Sequence, residues 1–167
     1  MSKLLLIGSG ERRQLMMTDL LWPKIVTLDN SPTHKPDIVA DLEKLPYEWA
    51  QDNEYDEIHA YEVLEHTGWQ GDYKFFFEQW NEFHRILKKG GSFIATVPMW
   101  NTIWNRGDPG HKREINNGTL VFLSQKEYEK QVGVTPMADY RDIYHGDFVT
   151  EFMDQSGPLF RFKLRAL

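Results

Sequence analysis

The chain has 167 residues, 41% apolar and 26% charged, which suits one soluble domain and is short for two. It has no cysteine, which excludes disulfides, thiolate metal sites and a cysteine nucleophile. A formal charge of -6 argues against nonspecific nucleic-acid binding, which depends on clustered Lys and Arg.

The apolar run after Lys3 is too short for a secretory signal, and no run has the length of a transmembrane helix. A cytoplasmic protein of one domain, residues 1–167, with no membrane and no nucleic-acid partner is the expectation. Six Trp within an aromatic share of 14% point to a dense core or to a pocket with aromatic walls.

In chain order, "KLLLIGSG" is a buried strand stopped by a glycine turn. Residues 11–22 have the pattern of a short helix. "KIVTLDN" and "PDIVADL" are two further apolar strands, ending on Asp29 and Asp41. Residues 43–50 hold a turn or two at most. "YDEIHAYEV" is a fourth strand, and "GSFIATVP" a fifth between Gly90-Gly91 and Pro98. Near-continuous apolar strands of this kind belong in a parallel sheet covered on both faces. Between the fourth and fifth, Phe76, Trp80, Phe83 and Leu87 recur at helical spacing. Asp72 is the expected N-cap, Lys88, Lys89 and Gly90 the expected C-terminal end, and His84 and Arg85 fall on the exposed side.

Residues 98–118 form a long polar stretch, the length of a functional loop. "SQKEYEKQVG" predicts a helix capped by Ser124. "DFVTEFM" and "LFRFKLRA" are joined by the turn-rich "DQSGP", and the second alternates with period two, so a hairpin closes the chain. The fold class is therefore α/β, mostly parallel with a C-terminal antiparallel hairpin.

The chemistry collects where strands end. Gly8 and Gly10 allow close backbone approach and positive φ. Asp29 would lie beside that turn and could accept from ribose hydroxyls, though an aspartate ending a strand is also an ordinary turn residue. Arg13 stands where the third glycine of G-x-G-x-x-G would be. Asp41 adds a second acid at the same carboxyl edge. "YEVLEH" places Glu62, Glu65 and His66 at the end of the fourth strand; Glu62 reads as a pocket residue and Glu65 as a structural one, through capping or an ion pair.

"LLLIGSG", "VTLDN", "DIVADLEKLPY", "YDEIHAYEVLEH" and "LKKGGSFIATVP" stand in the order and spacing of class I S-adenosylmethionine-dependent methyltransferases. Over residues 3–98 the chain resembles the small type 11 group and its Rossmann-like sheet. Residues 107–128 resemble a tail found on short members, some of them encoded by phages. The resemblance implies S-adenosyl-L-methionine as cofactor. Gly8, Ser9 and Gly10 would line its methionine part, Asp29 and Asn30 would meet ribose and adenine, and Asp41 and Leu42 the adenine. Tyr61 and Glu62 would border the sulfonium. Glu11 replaces a further glycine of the first motif.

A sulfonium methyl is already electrophilic, so a base is needed only for a protonated acceptor. His111, Glu62, His66 and Asp108 are the candidates; His111 also reads as a solvated loop histidine, and His66 could equally cap the segment after the fourth strand. Trp100, Trp104 and Met99 could wall an acceptor or pin the loop to the domain. A His-carboxylate metal site could be drawn from Glu62, His66, Asp108 and His111, but no ligand spacing supports it and no metal is expected. The leading reading is methyl transfer to a small molecule. Alternatives are a noncatalytic domain that binds the cofactor or a partner, and a nicotinamide-dependent oxidoreductase, which would need the missing third glycine.

Overall fold

Seven strands form a single sheet in the order β3-β2-β1-β4-β5-β7-β6. They are β1 (Lys3–Ile7), β2 (Lys24–Asp29), β3 (Ile38–Val39), β4 (Tyr55–Tyr61), β5 (Leu87–Pro98), β6 (Phe148–Asp154) and β7 (Leu159–Ala166). The computed structural model describes residues 1–11, 15, 18, 21 and 23–167, and the helix expected over 11–22 lies outside the described residues. The pairs from β3 to β5 are parallel, whereas β7 runs antiparallel to both β5 and β6. All the parallel strands therefore end on one edge. Strand order reverses direction between β1 and β4, and in open α/β sheets the ligand crevice lies at such a point.

The helix α1 (Tyr73–Ile86) follows from its stripe. Phe76, Phe77, Trp80, Phe83 and Ile86 are buried against the sheet, and the Asp72 side chain accepts the Phe75 N–H at 3.2 Å. Each such side chain stabilises the fold by roughly 1.5–3 kcal/mol. The helix ends earlier than its Lys-Lys-Gly signal. Leu87 is already extended (φ -74°, ψ 142°) and its N–H bonds Phe83 O, so residues 88–91 belong to β5, where the pairing with β4 shifts register. Nor is His84 a free surface group. It is partly buried, its ring edge-on to Phe148 at 5.3 Å.

The core lies on the α1 face of the sheet. Leu5 and Ile7, Ile58 and Ala60, Phe93 and Ala95, and Phe160 and Phe162 all point there. Segment 98–147 joins the same side with three short helices, α2 (Ile103–Gly107), α3 (Asn117–Val121) and α4 (Gln125–Gln131), contributing Leu120, Leu123, Tyr128 and Tyr144. Glu57, His59 and Tyr61 of β4 face the opposite way, because strand side chains alternate. They are polar. His59 Nε2 lies 2.8 Å from Glu57 Oε2 and His59 Nδ1 2.5 Å from the Tyr61 hydroxyl, with the Thr18 hydroxyl donating to Glu57. His59 is fully buried and Glu57 nearly so.

Candidate functional site

The turn leaving β1 is held by backbone bonds that free its outer face. Gly8 takes φ +60° and Gly10 φ +50°, and the Ser9 N–H donates to Leu28 O at 3.1 Å. The Gly10 N–H donates to Asp29 Oδ2 at 2.8 Å. Asp29 Oδ1 accepts the Ser31 N–H at 2.8 Å and lies 3.1 Å from His34 Nδ1. Burial pushes the Asp29 carboxyl up, but the Ser31 and Gly10 N–H groups and the His34 ring together hold it below the usual carboxylate range. An ionised carboxylate has about four lone-pair positions, so these three donors leave it acceptor capacity.

A cavity of about 660 Å³ opens at this edge, a volume that suits a small-molecule ligand. Gly8, Asp29, Asn30, Asp41 and Leu42 line it, while Ser9 and Gly10 are off its wall, Ser9 bonded to Leu28 O and Gly10 to the Asp29 carboxylate. Tyr61 and Glu62 are off its wall, and Val63 is on it. Strand parity turns the Tyr61 ring toward His59 on the opposite face. Glu62 adopts φ +53°, a costly conformation for a residue with a Cβ, and its exposed side chain leaves Val63 aimed at the cavity. Val63 meets Gly8 so closely that a Cβ on residue 8 would lie 2.6 Å from Val63 Cγ2.

The far wall comes from the turn after β4 and from segment 98–118. His66 ends a 3-10 turn over Leu64–His66 and lines the cavity together with Thr67 and Lys112. Lys112 also lines a second cavity of about 350 Å³, with Gln70, Asn105, Arg106, His111, Arg113 and Glu114. The two cavities thus share a wall. Lys112 Nζ donates to both Glu43 oxygens, at 2.8 and 2.9 Å, and its backbone N–H donates to Glu65 O at 2.8 Å.

His66 and His111 meet at this wall, edge to face, with centroids 4.7 Å apart. His66 Nδ1 lies 3.0 Å from Gly110 O, and His111 Nδ1 lies 3.1 Å from Asn105 O. A carbonyl only accepts, so in these contacts each Nδ1 is the donor, and Nε2 is the nitrogen left for a ligand or a proton. Glu65, 1% exposed, lies in the same cluster. Apart from its own backbone N–H, no donor among the described residues reaches either carboxylate oxygen. Burial pushes this carboxyl up to about 8, with Glu62 and Asp108 adding to the rise. Among the described residues Glu65 has neither the capping bond nor the ion pair that its sequence position suggests. Asp108 Oδ2 is 3.8 Å from His111 Nε2. Trp100 and Trp104 are 53% and 65% exposed, so they do not pin the loop, whereas Met99 is buried.

Residues 5–95 match the methyltransferase domain family, a span that takes in β1 through most of β5 and every residue of the first cavity but Lys112. The chain belongs to that family. It is an S-adenosylmethionine-dependent methyltransferase, and its fold is similar to that of solved methyltransferases. A SAM dependent methyltransferase from Archaeoglobus fulgidus is similar in fold at 14% identity and TM-score 0.62, over 98% of this chain and 86% of that one. A Haloferax volcanii methyltransferase solved with the Trm112 methyltransferase activator gives 15% identity and TM-score 0.63, over 99% and 82%. The trans-methyltransferase CalH, solved in complex with SAH, gives 14% and 0.56, over 99% and 51%. At these identities the likeness is one of fold. No curated protein matches the sequence. Among the described residues, no helix is long and apolar enough to cross a membrane.

Proposed function

We propose that the methyltransferase binds S-adenosylmethionine in the 660 Å³ cavity and methylates a small polar molecule held in the neighbouring 350 Å³ cavity. The wall that the two cavities share, built from Lys112 and the His66–His111 contact, carries this reading. It would bring a ligand on each side together at one seam, which is the positioning that methyl transfer requires.

The residues present fit the cofactor. Gly8 has no side chain to obstruct the edge, and Asp29 keeps acceptor capacity for ribose hydroxyls. Leu42, buried, offers an apolar surface for the adenine, and Asp41 and Asn30 offer polar groups around it. Val63 takes the position at the strand end that sequence reasoning gave to Tyr61 and Glu62. When bound, the cofactor supplies a methyl group on a sulfonium, which needs no further activation.

The second cavity is lined by amide, guanidinium and ammonium groups and by the Glu114 carboxylate, which accepts from Asn105 and Arg106, so its wall fits a polar acceptor that hydrogen-bonds. His111 would take the acceptor's proton at Nε2, its ring oriented by the bond from Nδ1 to Asn105 O. His66, on the wall of the cofactor cavity, offers Nε2 in the same way, and Glu62, exposed at the turn and off that wall, is the remaining candidate. Transfer of labelled methyl from S-adenosylmethionine into the low-molecular-weight fraction of a cell extract tests the reading. Label confined to protein or nucleic acid would contradict it.

A further inference from the structure

The carboxylate of Glu65 and the rings of His66 and His111 each place one ligand-type atom within 4.8 Å of the other two. We infer that these three side chains bind a divalent transition-metal ion at the seam between the cavities. The Glu65 carboxylate is buried and reached by no donor but its own backbone N–H, an expensive state for a group with no other partner. Capping does not account for it, and no cation pairs with it among the described residues. A metal ion supplies the missing partner.

The imidazoles are oriented as ligands. Each places its Nδ1 against a backbone carbonyl, which fixes the ring and keeps Nε2 for an ion, the usual support for a metal-bound histidine. The two segments that carry them are tied together, since Lys112 and Arg113 donate their N–H groups to Glu65 O at 2.8 and 3.2 Å. Ligands about 2.1 Å from an ion sit about 3–4 Å apart, so the cluster closes on an ion with about an ångström of side-chain movement. Two imidazoles and a carboxylate without sulfur suit zinc, cobalt or manganese better than magnesium or calcium. Asp108, exposed beside His111, can provide a further oxygen or hold a coordinated water.

Three protein ligands leave coordination positions open. In the methyltransferase reading above, on which only this consequence rests, an acceptor oxygen takes one of them. His111 is then a ligand with no lone pair for a proton, and it acts through the ion.

Calorimetric titration of chelator-stripped full-length protein with Zn²⁺ tests the site, with Co²⁺ absorption as a second probe. One ion should bind per chain, and Glu65→Gln and His111→Ala should each weaken it at least tenfold, whereas the exposed His145→Ala should not. Failure of Zn²⁺ to bind, or equal binding in all variants, overturns the inference. Mn²⁺ broadening of histidine ring signals in the wild type needs no variant. His66 and His111 should broaden first; uniform broadening of all histidines overturns the site. S-adenosylhomocysteine titrated into the same samples keeps the two readings separate, because its binding without metal binding removes only the ion.

Discussion

Val63 Cγ2 would lie 2.6 Å from a Cβ on residue 8, so Gly8 and Val63 close the crevice between β1 and β4 where the strand order turns. Gly8 is needed twice there, for the missing side chain and for φ +60°. Gly8→Ala should destabilise the fold by about 2–3 kcal/mol in urea denaturation and weaken S-adenosylhomocysteine binding. Gly10→Ala, at φ +50° with no atom within 4 Å of the added Cβ, should cost about 1 kcal/mol. Adding Val63→Ala to Gly8→Ala should recover part of the loss. Equal costs at both glycines would refute the close approach.

Asp29 gives the fold a defined acid dependence. Its folded carboxyl titrates below the unfolded value, so between the two the unfolded chain binds more protons. The stabilisation is complete above about pH 5 and disappears as pH falls below about 4 through the folded value. Urea denaturation of wild type and Asp29→Asn should show a stability gap at pH 7 that narrows on acidification. A gap independent of pH would mean that the ionised form is not the one bonded to Ser31 and Gly10.

The Glu57–His59–Tyr61 chain is buried on the far face of β4. His59→Leu leaves the buried Glu57 carboxyl with the Thr18 hydroxyl but without its imidazole partner and should cost about 3 kcal/mol. Glu57→Leu combined with His59→Leu should cost clearly less than the sum of the single changes. Additive losses in denaturation would show that the pair is not coupled.

His111 sits across the seam from the cofactor cavity. His111→Ala should cut methyl transfer at least tenfold and leave S-adenosylhomocysteine affinity within about twofold, a kcat effect of roughly 1.4 kcal/mol or more. Unchanged turnover would remove His111 from the mechanism whether it acts as base or as ligand.

Local pattern made much of this legible. The stripe from Phe76 to Ile86 with Asp72 ahead of it, and the alternation of Phe160, Phe162 and Leu164, are each complete within one element. The carboxyl edge was legible too, because parallel strands must all end there, which brings Gly8, Asp29 and Asp41 together. Features set by distant segments were not. His84 is covered by Phe148, far along the chain, and Glu65 is sealed by a loop anchored through Lys112 and Arg113. Tyr61 was a different case. Counting by two from His59 shows that both side chains face away from the cavity, a signal present in the sequence but outweighed by the family pattern.

The most direct test of the account is a calorimetric titration of the full chain with S-adenosylhomocysteine, repeated on Asp29→Asn and on Leu42→Asp. The account predicts one molecule bound per chain, with affinity at least tenfold weaker in each variant and no heat from nicotinamide dinucleotides. Binding of equal strength in wild type and both variants would contradict it, because the cofactor would then lie outside the cavity beside Gly8 and Asp29.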